Sequence, residues 1–267
     1  LQVAQKKHGH DVAMMSLVDM LWSFPTEEDV PTELLELGTC LLSGLQFDNQ
    51  TQNYPFKVAT IAKRCLQQAE SAELAKHLCR QLVSAGENQV PGLWDYAELA
   101  EILLQSQPEI ALEALVGSPV SALGRTLLTR MSIHSDPSNP VNAVPVETLK
   151  KWVAQEPSTR APLIAKDIQL QGGRPNPTQG LSEIAEYLLE VTETSQAVLE
   201  GFESQFHPFI YDGSIAQVLS PYLDLTQQLT NSPNAKLAIW AVEQTAKLQA
   251  RMSNDWLSTR REDERFE

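Results

Sequence analysis

The sequence has no run of about eighteen apolar residues, so it holds no candidate for a membrane-crossing helix. Strict apolar alternation between hairpin turns is also missing, which leaves little room for strands. Aromatic residues make up 6% of the chain, too few for the stacking platforms that grip single-stranded nucleic acid. The nucleophile elbow GxSxG, the phosphate-cradling GxxxxGK loop and the dinucleotide GxGxxG are all absent. Positive charge is scarce: 20 Lys and Arg stand against 34 Asp and Glu, for a net charge of −14. A surface of that sign repels a polyphosphate backbone, so nucleic acid is not the expected partner. The three cysteines, Cys40, Cys65 and Cys79, form no CxxC and sit among apolar helical neighbours. They read as buried thiols in a reducing compartment, which favours a cytoplasmic chain. No basic-then-apolar leader is seen and the first residue is Leu1. The chain is therefore expected to be a processed product or a portion of a longer polypeptide.

What is present is helical periodicity. The chain is 42% hydrophobic, enough for a sizeable core. Leu93, Ala97, Ala100 and Leu104 step along one helix face. Leu74, Leu78 and Leu82 do the same, widened by Ala75, Cys79 and Val83. Ile184, Leu188 and Val191 repeat the pattern, as do Val198, Phe202 and Phe206. Pro31, Pro55, Pro91, Pro108, Pro119, Pro145, Pro162 and Pro177 mostly fall just before such segments, where a missing N–H costs nothing. Ser118 and Ser232, each ahead of a proline, read as N-caps. About a dozen helices joined by short turns follow from this spacing. Two stretches rich in Pro, Gly, Asn and Ser, 132–144 and 171–180, read as loops. The expected organisation is one helical domain over 1–267, with 171–180 joining possible sub-lobes at 1–170 and 181–267.

The segment GSIAQVLSPYLDLTQQLTNSPNAKLAIWAVEQTAKLQARM, Gly213 to Met252, keeps Ile215, Val218, Leu219, Tyr222, Leu225 and Leu229 in phase across Pro221. A helix bent at Pro221 explains this better than two helices in chance register. A straight helix follows, with Ala238, Ala241, Val242, Thr245, Leu248 and Gln249 expected on one side. This bent-then-straight pair resembles a HEAT-type repeat, and VPGLWDYAELAEILLQSQPEIALEALVGS (Val90 to Ser118) is a looser copy. The resemblance implies an all-α fold, an irregular α-solenoid of antiparallel pairs, each needing neighbours to cover its apolar stripe. Similar arrays occur in multidomain bacterial proteins, including defence and signalling systems. It implies a protein-interaction or sensing module without catalysis, binding a protein partner on an extended acidic face. The last segment, SNDWLSTRREDERFE, reads as a polar capping helix or a frayed tail.

Two features offer other chemistry. The run HGHD places His8, His10 and Asp11 together, a donor set suited to a transition metal if His77, His134 or His207 approached. Metal sites built on His-x-His favour a strand, whereas the sequence beyond is helical with Asp11 placed to cap it. Lys57, Lys63, Arg64, Lys76 and Arg80 form a modest basic cluster whose alternative reading is a nucleic-acid site, though a solvated face partnered by Glu70 and Glu73 is the expected one. No catalytic, cofactor-binding or metal residue is assigned. Trp22, Trp94, Trp152, Trp240 and Trp256 are expected mostly as core anchors, with one or two on a binding face.

Overall fold

The computed structural model describes residues 2–21, 23–24, 30–47, 55–68, 70–88, 93–117, 139–172, 180–207 and 214–266, and for 2–8, 10–11, 93–94 and 255–266 the backbone alone. Twelve α-helices occur among them, and no strand; one isolated bridge joins Gln171 and Leu181. The chain divides into two units, Leu1–Thr148 and Leu149–Glu267. The 171–180 loop lies inside the second.

In the first unit, α1 (Gln2–Leu21), α2 (Thr32–Ser43) and α3 (Pro55–Cys65) pack on one another. Gly38 of α2 is the point of closest approach. A Cβ there would lie 2.7 Å from Cys65 Sγ and 2.9 Å from Ile61 Cγ2, so only glycine lets α2 settle on α3. Helix α4 (Ala72–Glu87) packs on α2, burying Leu74, Ala75, Leu78, Cys79 and Leu82 as the periodicity predicts. Helix α5 (Ala97–Ser106) packs on α3 and α4, and follows a 3-10 turn at Leu93–Tyr96. The helix expected from Leu93 thus tightens in its first turn before α5 opens at Ala97. Helix α6 (Pro108–Ala111) starts on its proline and runs into a π-helical turn, Leu112–Gly117. The loop expected at 132–144 contains a 3-10 turn, Pro140–Ala143, because the Asn139 side chain accepts from the Val141 N–H at 3.0 Å.

Helix α7 (Val146–Gln155) carries the chain into the second unit, where α8 (Pro157–Ala165) follows after the single residue Glu156. Pro157 opens α8, and Pro162 lies inside it rather than at its start, as the sixth of nine residues, where it removes one backbone bond. Arg160 is buried here. It donates to Trp152 O at 3.0 Å and to Gln155 Oε1 at 2.8 Å, with its guanidinium 4.7 Å from the Trp152 ring centre. Helices α9 (Glu183–Val191) and α10 (Gln196–Ser204) pack on α8. Gln205 crosses the carboxyl end of α8, donating to Ala165 O at 2.9 Å and Ile168 O at 3.1 Å. Ala165 ends α8 and Ile168 lies just beyond it, so the amide serves as an external C-cap where the helix's own N–H donors have run out.

Helix α11 (Ile215–Leu229) continues through Pro221, as its phase requires, and packs extensively on α12 (Ala235–Phe266). Ser182, Ser195 and Ser214 cap α9, α10 and α11 with their hydroxyls. The cap of α12 is Asn234 and not Ser232: Asn234 Oδ1 accepts from the N–H groups of Lys236 and Leu237 at 3.1 and 3.2 Å. Ser232 instead accepts from the Asn234 N–H. Residues 253–266 prolong α12 as one continuous backbone helix, neither a separate cap nor a frayed end.

Two positions store local cost. A Cβ on Gly201 would lie 2.6 Å from Ala165 Cβ and 3.3 Å from backbone atoms, so Gly201→Ala forces α10 off α8. Overpacking of about 1–3 kcal/mol exceeds the helix-propensity gain of about 1 kcal/mol. Urea unfolding of this variant is expected to show a net loss of up to about 2 kcal/mol. Glu193 and Thr194, in the turn between α9 and α10, both hold left-handed φ, at 52° and 56°. Non-glycine residues resist that region by about 1–2 kcal/mol. Glu193→Gly is expected to stabilise the chain by up to about 1 kcal/mol, read as a higher thermal midpoint.

Candidate interaction surfaces

The described residues contain no cluster of three His, Cys, Asp or Glu side chains placed to hold a metal ion. His8, His10 and Asp11 have their side chains outside the described residues, but their backbone lies within α1. The expected capping loop is therefore helix interior. Residues two apart on a helix stand about 200° apart around the axis, which opposes joint coordination by His8 and His10. His77 is tied to Leu45 O at 3.2 Å, and His207 Nδ1 to Arg251 at 3.0 Å. His134 lies outside the described residues.

The thiols separate into two kinds. Cys65 and Cys79 are buried as expected, and burial pushes them up to about 11 and about 12. Neither supplies a thiolate near neutral pH. Cys40 departs from expectation and is exposed. Gly38 and Leu42 take α2's core-facing positions, which turns residue 40 outward. With a thiol reagent at pH 8, one thiol of three is expected to react in the native chain and all three in denaturant; fast reaction of two or more native thiols would contradict this packing.

The basic residues lie on two helices. Helix α3, carrying Lys57, Lys63 and Arg64, packs mainly on α1, α2 and α5, while α4, carrying Lys76 and Arg80, packs on α2 and α6. Lys76 pairs with Glu73 at 2.7 Å, lowering the Glu73 carboxyl. Arg80 donates to Lys76 O at 3.2 Å, and Arg64 to Phe24 O at 3.4 Å. Glu70 is exposed and has no part in the pair.

Apolar side chains reach solvent on particular faces. On α2, Leu37 is 41% exposed, and half-buried Leu34 and Leu41 lie three before and four after it on the same face. Leu35, Gly38 and Leu42 form the buried face, which adjoins this one about 100° round the helix. Helix α2 thus carries one wide apolar stripe, buried on one margin and reaching solvent on the other. On α12, Ile239 is 71% exposed and Val242 57%. The sequence pattern placed Val242 and Gln249 with the core, yet both face solvent. The buried line is Leu237, Trp240, Ala241, Gln244 and Leu248. Trp240 explains the rotation: its ring centre lies 5.9 Å from that of Phe206 and 6.5 Å from that of Phe202, so α12 turns Trp240 toward α10. Trp152 and Trp240 are core anchors; Trp22, Trp94 and Trp256 fall outside the described side chains. No helix among the described residues is long and apolar enough to cross a membrane.

No protein-family model, curated protein or solved structure matches this chain.

Proposed function

We propose that this chain is a non-enzymatic protein-interaction or sensing module, an irregular α-solenoid of antiparallel HEAT-like helix pairs within a larger cytoplasmic protein. The observation that carries the reading is the outer margin of α2's apolar stripe, where Leu37 is exposed between half-buried Leu34 and Leu41. The exposed part of such a margin gains little for the helix's own fold, whereas a partner's surface can cover it. The side chains flanking that face include Glu33 and Glu36, both exposed. With a net charge of −14, the partner best suited is one with an apolar centre and a basic rim, and its binding weakens as salt rises.

The test is a photo-crosslinking residue placed at position 37, and separately at position 36, in cells making the full chain. Discrete protein adducts at 37 that are weak at 36 are expected, and they fade in the Leu41→Glu background. Adducts absent at 37, or equal at both positions, would sink the reading.

A further inference from the structure

We propose that α12 is a self-association helix: two copies of this chain pair through it antiparallel, with Ala246 on the two-fold axis. Helix α12 has 32 residues against 15 in α11, about 48 Å against about 22 Å of rod. Roughly half of α12 therefore runs past the helix it packs on, and an isolated helical extension of that length is marginal in water.

The outward face has an ordered composition. Ala235, Ile239, Val242, Ala246, Ala250 and Ser253 are all exposed, and at about 100° per residue they fall within about 80° of one another. The line carries no charge, and the sequence repeats the same register at Leu257. The steps along it are four, three, four, four, three and four, a palindrome centred on Ala246. Each half spans eleven residues, the repeat that keeps a stripe nearly straight along an α-helix.

A second copy fits this face by size. In an antiparallel pair centred on Ala246, Ile239 comes opposite Ser253 of the other copy, Val242 opposite Ala250, and position 235, an alanine, opposite Leu257. The 239/253 and 242/250 layers each set a larger residue against a small one, and the Ala246 layer lets the backbones approach closely. The fit extends to charge. A two-fold axis places like flanks side by side, so Glu243 of each copy lies about 3 Å in axial level from Lys247 of the other. Within one chain these two already pair at 2.7 Å, and Lys247 also meets Glu203 at 3.0 Å. Its ammonium proton is held more firmly for that reason. On the opposite flank, Ala238 and Gln249 are uncharged. The contact is isologous, the closed symmetry commonest among homo-oligomers. A single helix pair is smaller than a permanent dimer interface, so the expected association is reversible and micromolar.

Sedimentation velocity on the full chain from about 1 to about 300 µM is expected to show monomer passing to dimer. Ile239→Glu with Val242→Glu is expected to weaken this by roughly 30-fold or more, with an unchanged helical spectrum because both positions are exposed. Register is read by mild oxidation in a Cys40→Ser background. Ala246→Cys is expected to form a disulfide-linked dimer, while Val242→Cys and Lys236→Cys are not. A mixture of Ile239→Cys and Ser253→Cys chains is expected to crosslink to each other, though neither does so alone. A chain that stays monomeric throughout, a dimer indifferent to the two glutamates, or equal crosslinking at 242 and 246 would each overturn the proposal. Leu37→Glu is expected to leave the dimer intact, so failure here and failure of a partner site on α2 are distinguishable.

Discussion

The rotation of α12 about its own axis is the constraint on which the surface of the second unit depends. A helix presents a different set of residues for every 100° of turn, so one anchored side chain decides the whole outer face. That anchor is Trp240, wedged against Phe202 and Phe206, with Tyr222 of α11 5.1 Å from Phe206 on the far side. Aromatic groups of this size dominate local packing, and their tilted and edge-on arrangements add directional preference. Further along α12, Lys247 reaches Glu203, and Arg251 donates to Phe206 O at 2.7 Å. Positions 240, 247 and 251 all face α10, which leaves 239, 242, 246 and 250 pointing away.

The amino end of α12 is held by a different device. Asn234 caps the helix with its carbonyl oxygen and, with its amide nitrogen, donates to Thr194 Oγ1 at 2.6 Å. Lys236 donates to Glu193 O at 3.0 Å. Both contacts land on the turn whose two residues hold left-handed φ. Such conformations persist only where surrounding structure over-determines them. Here one asparagine and one lysine provide that determination, and Thr194, although β-branched, stays buried because its hydroxyl is satisfied. The strain is a cost of docking α12 at the angle Trp240 requires.

Much of this fold is legible in the sequence because helical periodicity reports burial directly. The faces of α4, α9 and α10 follow from Leu74, Ile184 and Val198 and their repeats, and the passage of α11 through Pro221 follows from phase alone. The outer face of α12 was not legible, for an instructive reason. Ala238, Ala241, Val242 and Leu248 give a respectable apolar side by count, and a competing buried side contains Trp240 and the polar Gln244. Periodicity sums hydrophobicity and gives one large indole little more weight than a valine. Packing weighs volume and partner geometry, and the indole prevails. The exposure of Cys40 has the same origin, since Gly38 takes the core position through its lack of a side chain. The placement of His8, His10 and Asp11 failed differently: Asp11 reads as the cap of the following helix, yet the residues before it continue that helix back to Gln2.

The two outward apolar faces differ in kind. On α2 the side chains are leucines bordered by glutamates, a surface of knobs that requires pockets on whatever meets it. On α12 they are mostly alanine and serine with two larger residues, a surface on which another helix can lie with its backbone close. Knobs without small neighbours cannot pair well with their own copy, because large residues would meet large ones across a two-fold axis. The α12 face alternates sizes so that each large residue finds a small one. Self-recognition therefore belongs to α12 on steric grounds alone, and α2 is left to a surface of complementary shape and opposite charge.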